Sequence, residues 1–441
     1  MAAALSGMDT GTNCGHIGSM SIIEERGAAA FTSSYRESDE ATRESKVAIV
    51  RLALSDEDAK FRDELRDFFT TKIPAEILER ARNDELRFPE DMVTSQQILN
   101  AAGLAVPNWP VEWGGKDWTP LQRQIWSDEL RMARVPEPLA FNASMIGPVI
   151  AQFGSQEMKQ RFLPPTANLD IWWAQGFSEP EAGSDLASLR TTAVRDGDHY
   201  VINGQKTWTT LGQYADWIFV LARTDPDAPK KQAGISILLA EMSTPGITLR
   251  PIKLIDGSYE VNEVWFEDVR VPADQLVGEE NAGWGYAKFL LSNERTGIAR
   301  IGTTKVWLDE VKQHAATVPI GDGDTTLLQD PIFASRVVEA ECELLALELT
   351  QLRVSGDEGT GKPNPASSIL KLRGSQLQQT VTDLMVEVAG PNALPFGAAE
   401  AASPVWAQHA APKYLNYRKT SIYGGSSEVQ RTIIASTILG L

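Results

Sequence analysis

Two short segments in the middle of the chain carry residues that suit the binding of a flat ring. Trp208 and Thr210 lie two residues apart in a run typical of a β-strand, so regular alternation places the indole and the hydroxyl on one face. Such a face can cover a planar ring and hydrogen-bond its edge. Residues 175–178 are predicted to form a strand edge, which offers unpaired N–H and C=O groups to a heterocycle. Glu179 and Pro180 then turn the chain away.

A run of small residues follows, and other chemistries find little support. Ala182, Gly183 and Ser184 form a turn that lets a ligand approach the backbone closely. Zinc binding and a histidine-based triad need imidazoles that come together, and we predict no metal site. The four histidines are far apart in the sequence, at His16, His199, His314 and His409.

The composition excludes several classes of protein. The 441 residues are 42% hydrophobic, which is enough for two or three domains. A net charge of −18 argues against binding to nucleic acid or to an anionic membrane. No apolar stretch approaches the ~20 residues that span a bilayer. Two cysteines, Cys14 and Cys342, imply no disulfide framework, so we expect a reducing, cytoplasmic compartment.

Composition and apolar periodicity along the chain predict a flexible tail and three domains. Residues 1–53 lack apolar periodicity and read as the tail. Ser55 and Asp58 resemble a helix cap, and Pro74 is expected at or near the end of that first helix or at the start of the next. We predict an N-terminal α-helical domain over 54–170, an antiparallel β domain over 171–280 and a C-terminal α-helical domain over 281–441.

The β domain and the last helices are predicted from spacing. Turn signals at Asp196-Gly197, Asn203-Gly204 and Pro245-Gly246 separate short β-branched runs, which favours antiparallel strands. No G-x-G-x-x-G follows a strand, so a Rossmann site is disfavoured. Helical spacing returns in two later sets, which are Val338, Cys342, Leu345 and Leu349, and then Leu377, Val381, Leu384, Met385 and Val388.

Four segments together resemble the acyl-CoA dehydrogenase family. They are QGFSEPEAGSD at 175–185, NGQKTWTT at 203–210, NERTGIAR at 293–300 and IYGGSSEVQRTIIASTILGL at 422–441. The resemblance covers residues 54–441 in consistent order, and WWAQGFSEP and GKPNPASSILK are similar to the pimeloyl-CoA dehydrogenases within the family. It implies an α+β multi-domain fold, with a helical domain, a β domain and a C-terminal four-helix bundle.

The resemblance also implies that FAD is the cofactor. It gives Ser178 a hydrogen bond to the flavin, and gives Trp208 and Thr210 the face and edge of the ring. The turn at Gly183 and Ser184 is implied to contact CoA and the flavin-bound substrate, although Glu181 departs from the usual Gly. A loop at Gly390 is implied to approach the FAD of a neighbouring subunit. The remaining cofactor-binding positions that we assign are Gln175, Phe177, Glu387, Ser426 and Glu428.

The implied reaction is α,β-dehydrogenation of an acyl-CoA. A carboxylate removes an α proton while the β hydrogen leaves as hydride, and the enolate charge needs hydrogen-bond donors. Most of the family has Glu in a Tyr-Glu-Gly-Thr motif, but Gly424 stands there and offers only a backbone N–H to the thioester oxygen. A minority places the base on a mid-chain helix, which matches Glu294, with Arg295 holding the site geometry.

The resemblance leaves the exact activity and assembly open. The leading hypothesis is a dehydrogenase of medium-length, ring-bearing or dicarboxylic acyl-CoAs that passes electrons to an electron-transferring flavoprotein. A second hypothesis is another flavin reaction on a CoA thioester, by an oxidase, a monooxygenase or a desulfinase. A third is a non-catalytic binding subunit of a heteromer. We expect a homodimer or tetramer, or assembly with a second acyl-CoA dehydrogenase subunit.

Overall fold

The structure is a computed structural model that describes residues 54–356, 364–395 and 403–441. Within helices, the side chains of 292–296, 298, 355 and 356 lie outside the description. The chain divides into two units, Met1–Phe61, of which the structure describes residues 54–61, and Arg62–Leu441. The predicted tail over 1–53 lies outside the described residues, and the predicted domain boundaries stay predictions.

The first helix begins and ends where its sequence predicts. The backbone N–H of Asp58 donates to Ser55 Oγ over 3.1 Å, which confirms the predicted cap. Pro74 stands directly before the second helix and confirms the predicted break. The N-terminal helices are α1 Asp56–Lys72, α2 Ala75–Arg82, α3 Glu90–Ala101, α4 Pro120–Met132, α5 Gly147–Phe153 and α6 Gln156–Ala167.

A seven-stranded sheet follows in the described chain. Its strands are β1 Trp173–Gly176, β2 Thr192–Asp196, β3 His199–Thr210, β4 Trp217–Arg223, β5 Ile235–Glu241, β6 Ile247–Ile252 and β7 Val261–Pro272. Antiparallel pairs β2–β3, β3–β7, β6–β7 and β4–β5 dominate, as predicted. β4 also pairs with β1 and β2 in parallel, which the turn signals did not predict.

The prediction of a turn at Asn203-Gly204 is wrong. Both residues lie inside β3, where the register with β7 shifts between Ile202 and Gly204. Gly204 has φ +149°, and a Cβ there would lie 2.6 Å from Thr191 Oγ1. Asn203 Oδ1 accepts the backbone N–H of Asp268 in β7 over 2.8 Å. Gly204 therefore allows a β-bulge and a close approach of the backbone to Thr191. In the sequence, a bulge of this kind has the same Asn-Gly pattern as a turn.

Six α-helices follow the sheet in the described chain. They are α7 Gly283–Ile298, α8 Ile301–Ala315, α9 Pro331–Gly356, α10 Ser367–Ala389, α11 Val405–Asn416 and α12 Ser427–Ile434. A single cluster of buried side chains comes from α8, α9, α10 and α11, which fits the predicted four-helix bundle. The predicted set from Leu377 to Val388 on α10 lies in this cluster.

Helix α9 presents its predicted apolar set outward. Val337, Ala340, Leu344 and Leu347 make its contacts with the core. Its opposite side carries an exposed row that we call the α9 outer stripe: Val338, Cys342, Leu345, Leu349 and Leu352. The periodicity thus predicts the helix correctly, but the next row of the same helix is the one that is buried.

Two general features bear on function. Within the described ranges, no helix combines the length and the apolar character needed to cross a bilayer. In the same part of the chain, no group of His, Cys, Asp and Glu residues is arranged to hold a metal ion.

Candidate functional site

The segment after β1 lies beside the end of β3. Gln175 in β1 pairs with Phe219 in β4, and the Phe177 ring packs edge-on against the Phe219 ring with centroids 5.7 Å apart. The carbonyl oxygen of Ser178 accepts the backbone N–H of Thr207 over 2.9 Å. This bond places Ser178 next to the backbone that leads into Trp208. The fold therefore brings together two segments that the sequence separates by about 30 residues.

The small-residue turn keeps open space around Gly183. Glu179 and Ala182 exchange two backbone hydrogen bonds of 3.1 Å, which close the turn. Gly183 and Ser184 are exposed, and a Cβ at Gly183 would meet no atom within 4 Å. The unusual Glu181 forms an exposed ion pair with Arg190. The turn is thus fixed from within while its tip stays accessible to a ligand.

A buried ion pair beneath this turn was not predicted from the sequence. Lys206 is fully buried, and its Nζ lies 2.8 Å from Glu179 Oε1 and 3.0 Å from the Phe177 carbonyl oxygen. Glu179 also accepts the backbone N–H groups of Arg190 over 2.6 Å and Thr191 over 2.9 Å. The available signal was a lysine within a strand whose neighbours are buried.

Both charges of this pair have shifted pKa values. Burial lowers the pKa of the Lys206 ammonium to about 8, and Glu179 partly opposes that shift. Burial raises the pKa of the Glu179 carboxyl, but the Lys206 ammonium and the N–H donors outweigh burial and leave it lowered. The pair ties the turn to β3 and holds Ser178 in place.

Trp208 stands out from the sheet at a second bulge. The register between β3 and β7 shifts between Lys206 and Thr209, and Trp208 has φ +60°. Its side chain is 57% exposed, whereas Thr209 is buried and Thr210 half-buried. The bulge interrupts regular alternation, so the prediction of one shared face for Trp208 and Thr210 does not follow from strand periodicity. An exposed indole, one residue after the backbone bond between Thr207 and Ser178, suits the face of a planar ring.

The C-terminal motif forms a glycine turn before a capped helix. Gly424 and Gly425 have φ +63° and +88°, and the buried Gln430 donates to the Gly425 carbonyl oxygen over 3.2 Å. Ser426 caps α12 by accepting the Val429 N–H over 3.4 Å. Glu428 is exposed in the first turn, where its own backbone N–H lowers the pKa of the carboxyl. The Gln430 bond fixes the Gly425 end of this turn, one residue after Gly424.

The remaining predicted residues lie on α7, on α10 or directly after α10. Glu294 and Arg295 belong to α7, but their side chains lie outside the described part of the structure. Glu387 forms an ion pair with Arg336 of α9. Gly390 follows α10 with φ +51° and open space around it. Ser178 and Trp208 are thus brought together, while Glu387 is engaged within the bundle.

Comparisons with known proteins agree with this architecture. Three family models match in order, which are the acyl-CoA dehydrogenase N-terminal domain at residues 55–170, the middle domain at 174–269 and the C-terminal domain at 281–439. The chain belongs to the acyl-CoA dehydrogenase family. It is an enzyme of that class, a family of flavoprotein oxidoreductases, as its sequence predicts.

Individual relatives are similar over most of their length. Acyl-CoA dehydrogenase IpdE1 of Mycobacterium tuberculosis is 37% identical over 78% of this chain and 86% of its own. Acyl-CoA dehydrogenase FadE29 of the same organism is 36% identical over 87% and 97%. The ChsE4–ChsE5 complex from M. tuberculosis has a chain with TM-score 0.77, 31% identity and coverage of 89% and 99%. The Tcur3481–Tcur3483 steroid ACAD gives TM-score 0.77, 28% identity and coverage of 89% and 99%.

Proposed function

We propose that this enzyme carries out FAD-dependent α,β-dehydrogenation of an acyl-CoA. The observation that carries the proposal is the exposed Trp208 indole at a bulge, one residue after the backbone bond that joins Thr207 to Ser178. Ser178, Trp208 and Thr210 would hold the flavin, which supplies the hydride acceptor when bound. Of the medium-length, ring-bearing and dicarboxylic acyl groups that the sequence leaves open, a ring-bearing group has the most support, because one similar structure is a steroid enzyme.

The residues of this chain have separate tasks in the proposed reaction. Glu294 removes the α proton of the thioester. The Gly424 N–H donates to the thioester oxygen as enolate charge develops. Arg295 maintains the charge and geometry around Glu294. Gly424 supports this assignment because a glycine with φ +63° offers its backbone N–H with no side chain beside it.

Replacement of the proposed base gives the most direct test. Glu294→Gln is expected to lower turnover by at least about 1,000-fold, since no other group takes the α proton, while FAD stays bound. Turnover is measured with a panel of acyl-CoAs and a dye acceptor, and bound FAD by its visible absorbance. Glu267→Gln, an exposed carboxylate on β7, is the control and is expected to behave as wild type. Wild-type turnover in Glu294→Gln would overturn the assignment of the base.

The glycine at 424 also favours a second candidate activity. Loss of the usual Glu accompanies other flavin reactions on CoA thioesters in the family, such as those of oxidases, monooxygenases and desulfinases. Reduction of bound FAD by acyl-CoA without oxygen, followed by admission of oxygen, separates these activities. A dehydrogenase keeps its flavin reduced until an electron-transferring flavoprotein is added, whereas an oxidase reoxidises at once.

We further propose that the enzyme assembles with a second acyl-CoA dehydrogenase chain. The α9 outer stripe supports this assembly, because Val338, Leu345 and Leu349 are 53%, 46% and 40% exposed on a helix of the bundle. The similar ChsE4–ChsE5 structure is itself a complex of two named chains. Co-expression with a neighbouring acyl-CoA dehydrogenase gene distinguishes a homo-oligomer from a heteromer. FAD that appears only with the partner would favour a non-catalytic subunit.

A further inference from the structure

One face of α10 packs closely against the end of α7, the helix that contains Glu294. The buried side-chain amide of Gln378 donates from Nε2 to the carbonyl oxygen of Ala299 over 3.1 Å. One turn earlier, Gly374 lies against the same residue, and a Cβ there would come within 2.7 Å of the Ala299 oxygen. The two contacts restrict movement of the end of α7 relative to α10, because the backbones are too closely packed there to shift.

An adjacent face of α10 hydrogen-bonds to the segment that leads to Gly424. Lys371 is fully buried, and its Nζ donates to the carbonyl oxygen of Thr420 over 2.5 Å. Ser375 Oγ lies 3.1 Å from the same oxygen and 2.7 Å from the Lys371 carbonyl oxygen, so its single hydroxyl hydrogen is shared between the two. The Lys371 Nζ also lies 5.7 Å from the centre of the Tyr423 ring, one residue before Gly424.

These contacts are strong because water is excluded from them. Lys371, Ser375, Gln378 and Thr420 are each at most 1% exposed. A buried carbonyl that loses its donor is left without a hydrogen bond and without water, so each of these carbonyls has a defined position. Residues four apart on a helix lie on one face. The pair 371/375 therefore contacts Thr420, and the pair 374/378 contacts Ala299, from neighbouring faces of one rigid helix.

We propose that Lys371 and Gln378 are positioning residues that set the distance between the proposed base and the proposed thioester donor. Glu294 lies five residues before Ala299, and Gly424 lies four residues after Thr420. Both segments are fastened to α10, so the helix fixes one against the other. This inference rests on the proposed function, since it assigns roles relative to Glu294 and Gly424.

The test separates proton abstraction from hydride transfer. The probe is an acyl-CoA with sulfur in place of the β carbon, which can lose its α proton but cannot be dehydrogenated. Its enolate beside oxidised flavin gives a long-wavelength absorption band. Both Lys371→Met and Gln378→Met remove the donor; methionine matches glutamine in length and is one atom shorter than lysine. Each is expected to lower kcat by about 10- to 100-fold with KM changed less than about threefold, because misplacement acts on the transition state.

The band itself provides a readout that loss of stability would not move. In both variants the pH midpoint of band formation is expected to rise, while FAD content stays that of wild type. Lys371→Gln retains an N–H donor and is expected to recover part of kcat. Should Lys371→Met fail to fold, Ser375→Ala removes one of the two bonds to Thr420 and is expected to shift the midpoint in the same direction.

Ser368→Ala is the matched control, since Ser368 is also fully buried on α10 but is not bonded to Ala299 or Thr420 among the described contacts. It is expected to leave kcat and the band unchanged. Variants at 371 and 378 that melt at lower temperature but keep a wild-type kcat and band midpoint would overturn the positioning role. A wild-type enzyme that forms no band, or a Glu294→Gln enzyme that keeps it, would instead refute the proposed function.

Discussion

Trp208 combines two properties that a structural core residue avoids. It is a bulky residue in the left-handed region of φ, a conformation that costs roughly 1–2 kcal/mol, and it leaves its ring in solvent. Neighbouring contacts maintain this conformation, because Thr207 bonds to Ser178 and Asn262 Nδ2 donates to the Thr209 carbonyl oxygen over 3.0 Å. The conformation exposes the indole, so a planar ligand can stack on it.

Removal of the indole is expected to affect cofactor binding more than folding. Trp208→Ala should weaken FAD binding several-fold, corresponding to about 0.5–1.5 kcal/mol of lost ring contact. Its effect on unfolding of the apoprotein should be small, because the side chain is already exposed. Fluorescence titration of the apoprotein with FAD measures the difference. Val194→Ala, another exposed apolar residue on the sheet, serves as control, and equal affinity in all three proteins would contradict the prediction.

The Lys206–Glu179 pair is expected to matter through its burial. Lys206→Met leaves the Glu179 carboxylate buried without its counter-charge and should destabilise the protein by about 3–5 kcal/mol. Adding Glu179→Gln to that variant should restore most of the loss, because neither buried charge then remains. Thermal unfolding followed by circular dichroism compares the three proteins. A single variant as stable as the double variant would refute this account.

Pairs of helices in the bundle are also joined by specific side chains. His314 on α8 stacks on Trp406 of α11, with ring centroids 3.8 Å apart and an angle of 8° between the planes. Partial burial lowers the pKa of the His314 imidazole below its usual 6.5. The folded protein therefore favours the neutral ring.

This contact predicts a loss of stability in mild acid. As pH falls through 6.5 toward the lower pKa of the folded state, the unfolded chain takes up the proton first, so the free energy of unfolding decreases. The effect should stay below about 1 kcal/mol, because solvent screens a half-exposed ring. Urea unfolding at pH 7.5 and 5.5 is compared between wild type and His314→Phe, which keeps the stack. The variant should lose less stability, and equal losses would rule out His314 as the source.

At the scale of the whole molecule, the α9 outer stripe predicts association. Each leucine that becomes buried contributes about 1.5–3 kcal/mol, so a charge in the stripe should dissociate the assembly. Leu345→Lys with Leu349→Lys is expected to shift the sedimentation coefficient toward that of a single chain. Ile255→Lys, which alters an apolar side chain 76% exposed in the β domain, is the control. An unchanged sedimentation coefficient in the double variant would place the interface elsewhere.

The sequence by itself determined the family, the order of helical and β segments, the cap at Ser55 and the missing carboxylate at Gly424. These features depend on residues close together in the chain or on motifs of fixed spacing. Only the tertiary structure decided that Asn203-Gly204 is a bulge, that Lys206 pairs with Glu179 and that α10 hydrogen-bonds to both Ala299 and Thr420. In each case the deciding partner lies far away in the sequence, as Asp268 does for Asn203, and local periodicity carries no information about contacts that form only when distant segments pack.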